Sequence, residues 1–320
     1  MIIVSLIFYS LLSHSQDVFC SEQKIIVPKK KAYKSVMSAP GKKVASSTEL
    51  STRSQALLVH TRYPQLLQAE PYNPHKTRNL YDATKPYRLS RSQLQNFLKC
   101  ERCFYRNHIL HIKDEPSLPF SINNAVDALS KKEFDQHRQT QTVPEIFAEK
   151  GYSLVPFNHP NITQWQDQLH HGLEHAIPGT NFIGYGGIDD MMQDPVTKKI
   201  FLIDHKATSK QGTVTIDAPW QDGYKQQIEI YQYLAEKNGL DVADTSYFVY
   251  SNARKDLEGF HNRLEFTRDI IPYEGDRRWV EQAFIAAYHC LQGTLPMLTP
   301  SCAQCQTFKA IQEKIEQKDS

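Results

Sequence analysis

An acid and a base stand on one face of an apolar run near the middle of the chain. Ile200-Phe201-Leu202-Ile203-Asp204-His205-Lys206 reads as a β-strand, and its period of two puts Asp204 and Lys206 on the same side, about 7 Å apart. Following an apolar run, both belong at the rim of a buried sheet. That pairing suits metal-assisted hydrolysis. The carboxylate binds a hard cation, and the ammonium orients or helps deprotonate a water and stabilises developing charge. The preceding run, Gly184-Tyr185-Gly186-Gly187-Ile188-Asp189-Asp190, has glycines that permit close backbone approach and ends on two acids. If the two runs pair as a hairpin, one of those carboxylates faces Asp204, and two like charges that close call for a cation. Asp190 falls on the opposite strand face, which makes Asp189 the first choice. An exposed turn with scattered charges is the alternative for these two strands alone.

A helix behind these strands adds Gln227 and Tyr231, four residues apart and therefore on one helical face. Either polar tip reaches a phosphate or braces the lysine. Trp220 and Tyr224, just ahead of them, offer ring faces for base stacking, but core packing is the default expectation for both. Cys100-x-x-Cys103 and Cys302-x-x-Cys305 bracket this whole region. Two such pairs in a long chain suit one shared tetrahedral site for Zn²⁺ or an iron–sulfur cluster of the 4Fe–4S type, with unligated thiols as the alternative. Cys290 lies in a helical pattern and is expected in the core, and Cys20 has no expected role. His170, His171 and His175 have helical spacing but no accompanying carboxylate pattern, so they are expected on the surface or in the core.

The elements that must position these groups follow from local signals. Ser90 and Gln93 fit a capping box for a helix carrying Leu94, Phe97 and Leu98, which runs on into Cys100–Tyr105. A second helix spans about Asn123–Arg138, with Val126, Leu129 and Phe134 inward. Residues 152–157 suggest a short strand, and Trp165–His175 a helix. Phe182–Met192 and Ile200–Lys206 read as a hairpin around a turn at Gln193–Lys198. A helix at Gln221–Glu236, strands at Ser246–Ser251 and Arg263–Ile271, and an amphipathic helix from Trp279 to Leu291 complete an α/β alternation.

Bulk composition leaves the nature of the partner open. The 320 residues include 37 basic and 35 acidic side chains, a net charge of +2, so any case for nucleic acid rests on a local site. Residues 1–85 read as a variable, disordered extension, including the basic run Pro28–Lys31, here taken as a solvated tail; residues 307–320 read as a C-terminal tail. Met1–Leu12 is apolar but shorter than the roughly 20 residues of a spanning helix, and no positive charge precedes it. It reads as an over-extended start or a loose segment rather than a secretion signal. A soluble, cytoplasmic protein with no membrane partner is expected.

In order and interval the chain resembles the RecB-like branch of the PD-(D/E)XK nuclease superfamily. The resemblance lies in Gly186-Gly187-Ile188-Asp189, then Asp204-His205-Lys206 followed by Ala207-Thr208, then Gln227-Ile228-Glu229-Ile230-Tyr231, and it covers roughly Leu89–Cys305. It implies an α/β fold with a restriction-endonuclease-like core at 86–306. A central mixed sheet would be flanked by helices, the N- and C-terminal helical segments joined by the four cysteines. By resemblance, Asp189, Asp204 and the His205 carbonyl hold Mg²⁺ or Mn²⁺. Lys206 positions the attacking water, Gln227 orients Lys206 or the scissile strand, and Tyr231 supports the site. A further ligand from an upstream helix is usually His or Glu; Asp127 stands there, with Glu133 as a competitor. Several RecB-like nucleases close the fold with an iron–sulfur cluster fed by one N-terminal and three C-terminal cysteines. The split here is two and two, which keeps zinc open.

The implied activity is hydrolysis of DNA phosphodiester bonds, as an exonuclease or a repair or processing endonuclease, with RNA left open as substrate. The alternatives are a catalytically silent nucleic-acid-binding module in a larger complex and a metal-stapled structural protein. No phosphate-binding loop of the G-x-x-x-x-G-K-[ST] type is present. A helicase or repair partner would therefore be a separate chain.

Overall fold

Ser90 begins the first helix as its sequence requires. In the computed structural model, its side chain accepts from the Gln93 backbone N–H while the Gln93 side chain accepts from the Ser90 N–H, closing a capping box on α1 (Arg91–Lys99). Leu94 and Phe97 face inward, and Leu98 faces solvent. The structure describes residues 80–112 and 121–319, all within one structural unit, Pro71–Ser320. The expectations for Met1–Leu12, for the basic run and for Cys20 lie outside the described residues.

The helix does not run on through the cysteines. At Cys100 the backbone turns extended (φ −164°), and α2 (Glu101–His108) restarts with the Cys100 sulfur accepting from the Cys103 N–H. Three helices follow: α3 (Ser121–Thr140), α4 (Glu145–Glu149) and α5 (Ile162–Gln166). The inward stripe of α3 is Ser130, Phe134 and Arg138, while Leu129 is exposed. Leu129 was expected inward; the interior here takes a guanidinium instead, because a buried carboxylate waits for it.

Trp165–His175 is not one helix. After α5 the chain turns, with Asp167 accepting from the backbone N–H groups of Leu169 and His170, and then enters β3 (Leu173–Ala176). The turn depends on Gly172, at φ +90°, where an added Cβ would lie 2.6 Å from the Gly186 carbonyl group. His170, His171 and His175 therefore share no helical face.

The expected first hairpin strand is also divided. Its front half, β4 (Phe182–Gly186), joins a three-stranded sheet of order β1-β4-β3, with β1 at Tyr87–Ser90. Its back half, β5 (Asp190–Gln193), pairs antiparallel with β6 (Ile200–Thr208) in a five-stranded sheet. That sheet has the order β2-β5-β6-β7-β8, with β2 at Val155–Pro156, β7 at Thr245–Ala253 and β8 at Phe266–Glu274. Only its central β6–β7 pair is parallel. Pro156, which lacks an N–H, sits on the edge strand. The hairpin turn itself is as expected, with Asp194 accepting from the Val196 and Thr197 N–H groups.

Residue parity on this sheet decides which layer each side chain enters. Leu202 and Phe248 pack with Ile228, Tyr231 and Leu234 of α6 (Asp222–Lys237) and with Phe284 of α7 (Val280–Gln292). Ile203 and Val249 pack on the other face with Phe134 and Phe147. Helices thus cover both faces of a mixed sheet. The last helix, α8 (Ala303–Asp319), returns to α2 through the cysteines. Among the described residues no helix is long and apolar enough to cross a membrane.

Candidate active site and cysteine cluster

Even-numbered residues of β6 face α6, and Asp204 and Lys206 are both even. Asp204 is fully buried and accepts a 2.7 Å hydrogen bond from the Gln227 side-chain amide, while its other oxygen is ion-paired with the Lys206 ammonium. The same amide reaches the Tyr231 hydroxyl at 3.4 Å, with Tyr231 almost wholly buried beneath it. Gln227, expected to orient Lys206 or the scissile strand, thus bonds directly to the aspartate that Lys206 pairs with. Lys206 lies 4.4 Å over the ring of Tyr224.

The break between β4 and β5 places Asp189 at the bend. One carboxylate oxygen accepts from the His205 backbone N–H at 2.9 Å; the other accepts from Gln168 at 3.0 Å and lies 3.2 Å from the Lys131 ammonium. Gly187 lets the 165–172 segment approach this bend, since a Cβ there would meet the Gln168 backbone at 2.6 Å. Gly184 and Gly186 serve differently, leaving room for the rings of Phe284 and Tyr231.

Asp190 points the other way. It pairs in register with Ile203, faces α3, and takes the Arg138 guanidinium at 2.7 and 2.9 Å. Asp127, on α3, lines the same cleft as Asp189, His205, Lys206 and Gln227, a space of about 450 Å³. Its carboxylate is bound by Lys131 at 2.9 Å, so one ammonium bridges Asp127 and Asp189. Glu133 is turned away, paired with Arg268 at 2.7 Å.

The electrostatics follow from three acids and two lysines in a poorly solvated place. Burial pushes Asp204 up to about 6 against the pull of Lys206, and burial with the Asp189 charge raises Asp127. Burial also opposes the charge on Asp189, yet Lys131 and Lys206 together hold it below the ordinary carboxylate range. For Lys206, burial opposes protonation, and Asp204 and Asp189 outweigh it, keeping the ammonium charged. The His205 ring is pushed down to about 4 by burial and packs edge-on to Phe134. Neither of its nitrogens has a hydrogen-bond partner among the described residues.

Carboxylate oxygens are hard donors that suit a divalent cation, although here Lys131, Lys206 and Arg91 already balance the three aspartates. The three aspartates are also not gathered into a tight ligand cluster of the kind the cysteines form. Lys131, Gln168 and Arg91, which also lines the cleft, were missed in the sequence. Only Lys131, four residues after Asp127 on a helix, left a readable signal.

The four cysteines do come together. Cys100, Cys103, Cys302 and Cys305 place their sulfurs within 4.8 Å of one another, with Cys100 3.6 Å from Cys305 and Cys103 3.6 Å from Cys302. None is in a disulfide. Burial would raise Cys100, but hydrogen bonding with Thr299 and Cys103 brings it down to about 7; burial and the neighbouring sulfurs push Cys103 and Cys305 up. Four sulfurs this close could all be thiolates only around a positive centre, and the cluster is compatible with a metal site. Cys290 packs at the core margin, half-buried. Trp220, expected in the core, is 69% exposed, and Tyr224 is half-buried beside it. Compared with protein-family models, with curated proteins and with solved structures, the chain gives no match.

Proposed function

We propose that the chain is a divalent-metal-dependent nuclease of the RecB-like PD-(D/E)XK kind, hydrolysing DNA phosphodiester bonds. The observation that carries this reading is the convergence of Asp189 and Lys206 on one cleft, with the buried Asp204 paired to Lys206 and fixed by Gln227 from the next helix. In this reading Asp189, Asp204 and the His205 carbonyl would hold Mg²⁺ or Mn²⁺, with Asp127 as a further oxygen donor. A bound ion supplies Lewis acidity toward the phosphate and toward a water. The chain's own groups do the rest. Gln227 holds the Asp204 carboxylate in place beside Lys206, and Tyr231 backs Gln227. Lys206, held charged, stabilises the negative charge that builds on the phosphoryl oxygens during in-line displacement. The cysteine cluster would carry zinc or an iron–sulfur cluster as a structural joint between α2 and α8.

The test is cleavage of labelled single- and double-stranded DNA and RNA with Mg²⁺, Mn²⁺ or chelator, beside Asp204→Ala and Lys206→Ala. Metal-dependent cleavage by the parent and its loss in both variants is expected. No cleavage by the parent, or equal cleavage by the variants, sinks the reading. One observation favours a silent binding module instead: Lys131 already bridges Asp127 and Asp189, as a stand-in cation would. Mn²⁺ titration of the parent and of Lys131→Gln separates the two. A silent site binds the ion only once the lysine is removed.

A further inference from the structure

A second cleft of about 300 Å³ adjoins the first, and Lys206, Ala207 and Tyr224 line both. Its other walls include Thr208, Lys210, Thr215, Trp220 and Tyr250. Two lysines line it and no carboxylate does, so it favours an anion. Trp220 stands at this cleft with 69% of its surface exposed, its ring edge-on to Tyr224 at 5.6 Å. The turn that carries it is fixed from beneath. The buried Gln221 amide donates to the Thr215 carbonyl at 2.7 Å and accepts from the Ala218 N–H at 3.0 Å. Farther along, Asn252 exchanges two hydrogen bonds with the Lys210 backbone, clamping the other side of the loop. An indole held open on a braced turn, beside lysines, presents a ready-ordered stacking face.

We propose that Trp220 and this second cleft form a subsite for an unpaired nucleobase of single-stranded DNA, one step along the strand from the phosphate held at Lys206. In a duplex the base faces are already stacked on their neighbours, so a single exposed indole selects an unpaired base. The backbone of that nucleotide lies toward Lys210, and Lys206 joins the two clefts. This subsite rests on the nuclease reading for the location of the phosphate, but its binding chemistry stands without cleavage.

The test uses the full chain in EDTA with a fluorescein-labelled dT 12-mer and a blunt hairpin duplex as probes, for the parent, Trp220→Ala and Trp220→Phe. Melting curves check that the surface variants fold. Trp220→Ala weakens binding of the 12-mer roughly 5- to 150-fold, the span of a base–aromatic contact. Trp220→Phe recovers most of that, duplex binding does not change, and the 12-mer shields the parent's exposed indole from acrylamide quenching. Equal 12-mer affinity for parent and Trp220→Ala overturns the subsite, as does a parent that binds no 12-mer. Cleavage in Mn²⁺ is then scored separately. A parent that binds through Trp220 but never cleaves removes the nuclease reading and keeps the subsite. A parent that cleaves through Asp204 with Trp220→Ala unchanged does the reverse.

Discussion

Replacing Asp190 by asparagine leaves the Arg138 guanidinium buried without its counter-charge. The pair is closed on both sides, Asp190 fully buried and Arg138 nearly so, with contacts of 2.7 and 2.9 Å. Breaking a buried pair from one side costs about 3–5 kcal/mol, because the remaining charge cannot regain water. Arg138 keeps its bond to the Phe157 carbonyl at 2.7 Å and its contact with Asp135, which points to the lower end, about 3 kcal/mol. At about 2–4 °C per kcal/mol for a domain of this size, Tm falls by about 6–12 °C. Asp189→Asn acts on the neighbouring residue with the opposite profile. The amide oxygen still accepts from His205, and although Lys131 and Lys206 lose a stabilising charge, each keeps another carboxylate, Asp127 and Asp204, so Tm falls by no more than about 3 °C, roughly 1 kcal/mol. Metal-dependent cleavage drops by ~100-fold or more, as for loss of a group that meets the reacting phosphate. Differential scanning fluorimetry beside a nuclease assay reads both. If Asp190→Asn abolishes cleavage and leaves Tm unchanged, the roles of the two acids are reversed and the parity argument fails.

Three further outcomes follow from particular contacts. The unfolded chain releases the Asp204 proton near 3.8 and the folded chain near 6. Between those values the folded state holds the extra proton, so the metal-free protein loses stability as pH rises from about 4 to about 6. Urea melts across that window show a shallower slope in Asp204→Asn than in the parent, the remainder coming from Asp190, which burial likewise pushes up to about 6; equal slopes refute it. Cys305→Ser empties the cysteine cluster and lowers Tm, whereas Cys290→Ser, whose thiol burial pushes up to about 11, changes neither. Elemental analysis for zinc and iron decides, and a metal content unaffected by Cys305→Ser counts against the cluster as a metal site. Gly187→Ala forces a Cβ into the Gln168 backbone at 2.6 Å and costs about 1–3 kcal/mol. Gly223→Ala, helical and with its nearest atom at 3.9 Å, gains about 0.5–1 kcal/mol. Denaturant midpoints that move in the same direction for both refute the close-approach account.

Features written within a few residues were legible. Ser90 and Gln93 announce a cap, Asp194 a turn, and the alternation in Ile200–Lys206 a strand with Asp204 and Lys206 on one face. Features that depend on distant neighbours were not. Nothing local in Phe182–Met192 records that its two halves belong to different sheets. Nor does Trp165–His175 announce that Gly172 must lie against Gly186. Arg138 looks like an ordinary helix surface residue until its partner 52 residues later is brought beneath it. The Asp127–Lys131 spacing resembles many solvent-exposed pairs, and only tertiary packing turns Lys131 toward Asp189. Trp220 erred in the other direction, because large aromatics are assigned to interiors by default.

Cys100 and Cys305 are 205 residues apart in sequence and 3.6 Å apart in space. With an ion shared among the four sulfurs, the chain between them becomes a closed circle that contains every strand from β2 onward and all of the described cleft lining except Arg91. A peptide bond cut anywhere on that circle would leave the fragments tethered. Release of the ion opens the circle, and a cut chain then separates into pieces. Occupancy of the cysteine site would thus govern how much backbone damage the neighbouring cleft survives.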